Sequence, residues 1–228
     1  MMKRVSIFIS IFLLGFTLSC IGKAKLDTAE KKQSYAYGHF IGQRLFEQGA
    51  DIDLKAIQSG ITDGLQDKHQ MSEEDIIDAF RSLETALRKK QTEKMMAARV
   101  ENLESSETFL KANKSKEGVK VLASGLQYKV AKQGVGRTPK ATDTVVVHYK
   151  GTLLDGTEFD SSYKRNEPAE FKVTQVIKGW TEALQKMNVG SKWTLYIPPG
   201  LAYGAQGAGR LIGPNQALIF EVELIRIK

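Results

Sequence analysis

In the second half of this 228-residue chain, aromatic and aliphatic side chains accumulate in a set order. Tyr149 comes first, then Phe159-Asp160, Val176-Ile177-Lys178-Gly179-Trp180, Tyr203-Gly204 after Pro198-Pro199, and finally Phe220. Taken singly, such residues are ordinary core. Gathered in one place, they wall a dry cup holding very few polar groups. Asp160 is the informative exception. Beside Phe159 its carboxylate can orient a substrate, polarise a carbonyl region, or accept a hydrogen bond from a wall residue such as Tyr149. A pair with Arg165 would offset the burial of its charge. Equally, Asp160 can cap the turn at Ser161-Ser162, leaving Arg165 a solvated surface charge. Tyr203 combines an aromatic wall with a hydroxyl able to donate to a substrate carbonyl. Trp193 falls in a strand pattern with Leu195 and Ile197 and reads as structural.

Other chemistries find little support. Cys20 is the one cysteine, which excludes an intramolecular disulfide and a Cys-based zinc cluster, and His39, His69 and His148 stand at no metal-ligand spacing. Gly204, Gly207 and Gly209 lack the strand–loop–helix setting of a dinucleotide fingerprint. No cofactor or metal is implied. The net charge of +7 lies mostly in residues 116–228, but without a dense Lys/Arg run or a nucleic-acid-binding motif, so no nucleic-acid partner is expected. With 42% hydrophobic residues and five prolines, the chain can fill the core of one large or two small domains.

The elements that must position these groups begin with an export signal. Lys3-Arg4 precedes an apolar run from Val5 to Leu18, too short for the ~20 residues of a membrane-spanning helix. The run ends at Thr17-Leu18-Ser19-Cys20, which resembles a bacterial lipoprotein signal over residues 1–19. Cys20 would then be the lipidated first residue of the mature chain and a lipid anchor to the membrane. Thr17 stands where such signals usually carry a branched aliphatic residue. The alternative is a signal cut elsewhere, with Cys20 incidental.

Residues 20–71 read as a helical dimerisation module. Asp27 can cap a first helix through Tyr35, Phe40, Ile41 and Leu45 to a stop near Gly49, and Asp53 a second through Ile57, Ile61 and Leu65. Gly38/Gly42 and Gly60/Gly64 repeat a small-xxx-small spacing. Helix-interior glycine costs ~1 kcal/mol relative to Ala, so a close helix crossing is expected, within one chain or between two. Residues 72–115 read as one long connecting helix. Ser72-Glu73-Glu74-Asp75 resembles a capping box, and neither Pro nor Gly follows until Gly118. Such a helix would be ~65 Å long. Ile76, Phe80, Leu83 and Leu87 mark a packed face, whereas Lys89–Lys94 is polar all round, as in a solvent-crossing stalk.

After Gly118 the period becomes two. Leu126, Tyr128 and Val130 alternate with polar neighbours, as do Val145, Val147 and Tyr149, and Phe220, Val222 and Leu224. Asp155-Gly156 predicts a type I′ hairpin, whose two central residues both need positive φ. One short helix, Thr181–Met187, lies among the strands. The class is α+β: an all-helical N-terminal module with a long connecting helix, then an antiparallel sheet wrapped around a short helix.

Val147-His148-Tyr149, Phe159-Asp160-Ser161-Ser162, Val176-Ile177-Lys178-Gly179-Trp180, Leu201-Ala202-Tyr203-Gly204 and Phe220-Glu221-Val222-Glu223-Leu224 resemble, in order, the motifs of FKBP-type peptidyl-prolyl cis-trans isomerases. The match spans about residues 119–228, within a domain taken as 116–228. The helical half and the export signal resemble the Mip/FkpA branch, whose members dimerise through that half. The resemblance implies that Trp180 is the floor for a proline ring, walled by Tyr149, Phe159, Val176, Ile177 and Phe220. It also implies Asp160, Tyr203 and the Ile177 N–H as polar groups of catalysis, Arg165 as a partner of the site, and Ile212 at its rim. Two departures stand out: Ala169 replaces an expected aromatic, leaving Phe171 to cover that wall, and Ala208 sits where many relatives carry His. The implied partners are proline-containing peptides and unfolded proteins, met by a homodimer in a bacterial envelope, as an outer-membrane or periplasm-facing lipoprotein. The alternative is a dimeric holdase or client-binding lipoprotein with weak isomerase activity.

Overall fold

The computed structural model describes residues 23–228. The export signal and Cys20 lie outside the described residues. The chain divides after Gln70 into two compact units.

The first unit holds α1 (Ala29–Glu47) and α2 (Leu54–Leu65). The first cap is Thr28, one residue past the expected Asp27: the Thr28 hydroxyl accepts from the Lys31 N–H, while the Asp27 carboxylate takes the Lys31 ammonium at 2.8 Å. Asp53 caps α2 as expected, accepting from the Ala56 N–H at 2.8 Å. Neither helix contains a buried residue. Tyr35, Tyr37, Phe40, Phe46, Leu54 and Leu65 are each more than half exposed. Among the described residues, nothing outside its own helix backbone and chain neighbours lies within 4 Å of a Cβ built at Gly38, Gly42, Gly60 or Gly64, so no close crossing at these glycines is seen there.

The second unit begins with α3 (Glu73–Asn113), 41 residues long. Its cap is reciprocal: the Ser72 hydroxyl accepts from the Asp75 N–H at 3.1 Å and donates to the Asp75 carboxylate at 2.7 Å. Lys89–Lys94 is exposed. Farther on, Arg99, Asn102, Ser106, Phe109 and Asn113 recur at spacings of three and four and form a docked face. Phe109 lies against Tyr196 with ring centroids 6.0 Å apart. Asn113 donates to the Gln127 side-chain oxygen at 3.0 Å, and Gln127 donates to the Leu110 carbonyl at 2.8 Å. Gln127, outward-facing by its strand pattern, is therefore only 4% exposed. The change of period near residue 116 is thus a boundary of secondary structure; the last turns of α3 pack with the sheet.

Seven antiparallel strands follow: β1 (Val119–Val121), β2 (Gln127–Lys132), β3 (Thr144–Thr152), β4 (Glu158–Ser161), β5 (Ala169–Lys172), β6 (Lys192–Ile197) and β7 (Leu218–Ile227). Their order is β1-β2-β6-β7-β3-β4, with β5 also paired to β3. Alternation on β6 and β7 buries Trp193, Leu195, Ile197, Phe220, Val222 and Leu224, the inner half of a core closed by Leu184 and Met187. The short helix α4 spans Lys178–Leu184 rather than the expected Thr181–Met187. Ile177 is its cap, and the Thr181 hydroxyl, inside the helix, donates to the Val173 carbonyl at 2.7 Å.

The β3–β4 hairpin forms, but not through a type I′ turn. Only Gly156 has positive φ, +87°. Asp155 stays on the ordinary side, and its carboxylate accepts from the Thr157 N–H at 2.8 Å. With Gly156 N–H donating to Leu153 and Leu153 N–H donating to Thr157, the loop is a three-residue turn closed by a left-handed glycine.

Candidate active site

Strand β3 carries Tyr149 at the centre of the sheet, between β7 and the β4/β5 edge. Register sets Gly151 opposite Phe220 and Asp160, and Val145 opposite Phe171. Two close approaches then bring the rings together. A Cβ at Gly151 would stand 2.6 Å from the Phe159 ring and 2.7 Å from the Phe220 ring; only glycine lets both rings lie over the strand. A Cβ at Gly179 would meet Ile197 at 2.6 Å, so α4 can settle on the sheet and present the next residue, Trp180.

Trp180 is 3% exposed and meets three rings edge-on. Tyr149 lies 5.3 Å away at 87°, Phe171 5.7 Å away at 83°, and Phe220 5.2 Å away at 83°. Phe159 extends the set through Phe220, at 5.4 Å and 82°. Edge-to-face pairs are worth ~0.5–1.5 kcal/mol each beyond area burial, so the cluster is rigid as well as dry. The Trp180 indole N–H is buried with no acceptor among the described residues. Val176, Ile177 and Ile212 belong to the same apolar body. Ile177, at the cap of α4, keeps its own N–H outside the helix ladder. Ala169 and Phe171 both pack there, and the Phe171 ring stands against Tyr149 and Trp180.

The polar groups meet at one side of the cluster. The Tyr149 hydroxyl donates to Asp160 Oδ2 at 2.5 Å, and Arg165 Nη1 donates to Asp160 Oδ1 at 2.6 Å. Arg165 Nη2 also donates to the Tyr149 oxygen at 2.9 Å, with its guanidinium 5.6 Å from that ring's centroid. Both partners that the sequence offered Asp160 are thus realised together, and in the turn that follows, Ser161 accepts from the Lys164 N–H.

Partial burial pushes the Asp160 carboxyl up, but the hydrogen bonds from Tyr149 and Arg165 outweigh it and hold the group below the usual carboxylate range. Burial, joined by the Asp160 carboxylate, pushes the Tyr149 phenol above its ordinary value. Because the native carboxyl is more acidic than the unfolded one, its stabilisation is complete above the unfolded pKa of ~3.9 and is lost as pH falls through the lower native value. With the phenol displaced upward, no group of this triad changes charge near neutrality. Peptide turnover by the folded chain is expected to stay flat from about pH 5 to pH 9; a bell-shaped profile centred near 7 would contradict this arrangement.

Tyr203 is 40% exposed and stands outside the ring cluster, just before a loop closed by paired backbone hydrogen bonds between Ala208 and Ile212. Two supports were not apparent from sequence. The fully buried Ser162 hydroxyl accepts from the Tyr149 N–H at 2.8 Å and donates to the Tyr149 carbonyl at 3.2 Å, fixing the strand that carries the phenol. Gly151 is the other; its signal was a glycine inside a strand pattern.

Fold and site together define a proline-isomerase domain carried on a helical leader, and the family models agree. An FKBP-type peptidyl-prolyl cis-trans isomerase model matches residues 135–225, and the domain amino-terminal to FKBP-type isomerases matches residues 30–130. The chain belongs to the FKBP-type peptidyl-prolyl cis-trans isomerases. It is 44% identical, over its whole length and 99% of the relative's, to the peptidyl-prolyl cis-trans isomerase Mip of Coxiella burnetii. It is 41% identical, over its whole length and 98% of the relative's, to the outer membrane protein MIP of Legionella longbeachae. Among solved structures, FkpA from Escherichia coli superposes with a TM-score of 0.72 at 37% identity, covering 90% of this chain and 99% of that one.

Proposed function

We propose that the chain accelerates cis–trans exchange at X-Pro bonds of unfolded and partly folded exported proteins, as a homodimer held at a bacterial envelope membrane by a lipid on Cys20. The observation that carries this reading is the edge-on packing of three aromatic rings around Trp180 beside the Asp160–Tyr149–Arg165 triad.

Rotation about a peptide bond must overcome ~18–20 kcal/mol because the C–N bond has partial double-bond character. No bond breaks, so the reaction calls for neither nucleophile nor electron carrier. In the twisted state resonance is lost, and the carbonyl gains less from strong hydrogen bonds with water. A dry aromatic surface therefore favours that state over the planar ones. In this reading the proline ring rests on Trp180 among Tyr149, Phe159, Phe171, Val176 and Phe220, with Ile212 at the rim. The Ile177 N–H and the Tyr203 hydroxyl donate to substrate carbonyls on either side of the bond. Asp160, kept ionised, faces the carbonyl carbon of the twisted amide.

The exposed apolar side chains of α1 and α2, with glycines that meet no other element among the described residues, support residues 20–71 as the dimer module. Residues 72–115 then connect it to the isomerase domain at 116–228, against which the last turns of α3 dock. Localisation to the outer membrane or its periplasmic face follows the lipoprotein-like signal at residues 1–19.

The test is a protease-coupled assay of the purified mature chain on short X-Pro peptides, whose uncatalysed exchange takes tens of seconds or longer. Catalysed exchange at nanomolar to micromolar enzyme is the expected result. A folded chain that leaves the exchange rate unchanged would overturn the proposal.

A further inference from the structure

Residues 204–215 form the loop that follows Tyr203 and carries Ile212, and both of its ends are fastened to α3. At the start, Arg99 Nε donates to the Ala205 carbonyl at 3.0 Å. At the far end, Asn102 Nδ2 donates to the Pro214 carbonyl at 2.9 Å. The Ser106 hydroxyl, 1% exposed, donates to the Asn215 carbonyl at 3.0 Å and accepts from the Ala217 N–H at 2.8 Å. Asn215 closes the arrangement: its side-chain amide donates to the Arg99 carbonyl at 3.1 Å, and its backbone N–H donates to the Gly204 carbonyl at 2.8 Å.

Asn215 is thus the knot where the two ends of the loop and the helix meet. It sits at φ +56°, a conformation that Asn and Gly tolerate and most residues do not. The loop's own ties are a single 3-10 turn at Gly204–Gln206, the Ala208–Ile212 pair, this Asn215–Gly204 bond and the Gly213 N–H donated to the Gln216 side chain at 2.7 Å. Leu211 at its tip is 54% exposed. Much of what holds its base therefore comes from a helix outside the sheet. The hydrogen bonds that these α3 groups make outside their own helix go to the loop and to Ala217 rather than to the Trp180 cluster, so their effect on the site passes through the loop.

We propose that the docked end of α3 positions this loop for catalysis, with Arg99 and Asn215 as positioning residues that hold Tyr203 and Ile212 where a peptide must meet them. The proposal rests on the reading that those two residues contact substrate. It makes the helix a working part of the site's grip on peptide.

Two full-length variants test it. Asn215→Gly suits the positive φ and deletes only the amide tether to Arg99; Arg99→Ala deletes the tether to Ala205. Each is expected to raise KM for an X-Pro peptide roughly 3- to 10-fold, the scale of one lost hydrogen bond, with kcat changed less than about two-fold. Arg99→Lys keeps a donor and is expected to recover most of the KM. Amide hydrogen exchange of residues 205–213 should quicken in both deleting variants while β3 and β7 stay protected. A purely structural role would instead lower the denaturation midpoint and leave the KM of the folded protein untouched. If Arg99→Ala does not fold, Asn215→Gly decides alone. Unchanged KM and unchanged exchange in a folded variant of an active parent chain would overturn the proposal. A parent chain with no turnover would overturn the functional reading instead, leaving the exchange result to judge the loop's support.

Discussion

Asp160→Leu is expected to lower kcat/KM for a short X-Pro peptide by about tenfold or more, the equivalent of ~1.4 kcal/mol or more of lost transition-state stabilisation. The substitution removes both acceptor atoms used by Tyr149 and Arg165 and, in the proposed mechanism, the carboxylate that faces the twisted amide. Its cost to the fold is smaller. The Asp160 and Arg165 side chains are 43% and 50% exposed, so solvent screens their attraction and rehydrates the freed guanidinium; a stability loss of about 1 kcal/mol is the expected scale. The Tyr149 hydroxyl keeps its contact with Arg165. Denaturant unfolding and turnover measured on one preparation separate the two effects. Full turnover in a folded Asp160→Leu protein would move the polar centre of catalysis away from this triad.

With the proposed homodimer paired through α1 and α2, Phe40→Glu is expected to halve the solution mass of the chain while leaving turnover of short peptides as it was. Phe40 is 74% exposed on a helix that buries nothing, so within one chain a charge there displaces no packing. Against a second copy the same carboxylate would be buried unpaired, costing at least a few kcal/mol per site. Burying a side chain such as Phe contributes about 1.5–3 kcal/mol. The exposed set on α1 and α2 is therefore ample to drive association, whereas isolated helices of these lengths are marginal in water. Sedimentation of parent and variant at matched concentrations reads the difference directly. A variant that sediments like the parent would place the dimer contact elsewhere.

How much of this was legible beforehand varies with the physical origin of each feature. Asp53 and Ser72 marked two helix starts because a side-chain cap is a local interaction between residues three apart. The partners of Asp160 were legible as candidates from the chemistry of a carboxylate in an apolar cup, a cup that the order of the FKBP-like motifs implied rather than any local pattern. Phe171 was harder. Its place against Trp180 depends on the register Val145↔Phe171, which no local pattern reports. The hairpin was visible at Asp155-Gly156, but its type depended on Asp155 bonding forward to Thr157, a competition that propensity does not decide. The docked face of α3 was the least visible. Arg99, Asn102, Ser106 and Asn113 look solvated by hydropathy, and they are held by polar groups of the loop and sheet rather than by apolar partners. A helical repeat of polar residues at spacings of three and four was the available signal.

The two tryptophans occupy very different surroundings. Trp193 is stacked on Tyr128, with centroids 4.3 Å apart and planes 11° from parallel, whereas Trp180 lies at the heart of the ring cluster. Intrinsic fluorescence therefore divides into a steady background emitter and one that an occupant would quench or blue-shift. With Trp193 replaced by Phe, the chain would carry a single optical probe at the centre of the ring cluster, and peptide arrival at the proposed site would register in real time without an attached dye.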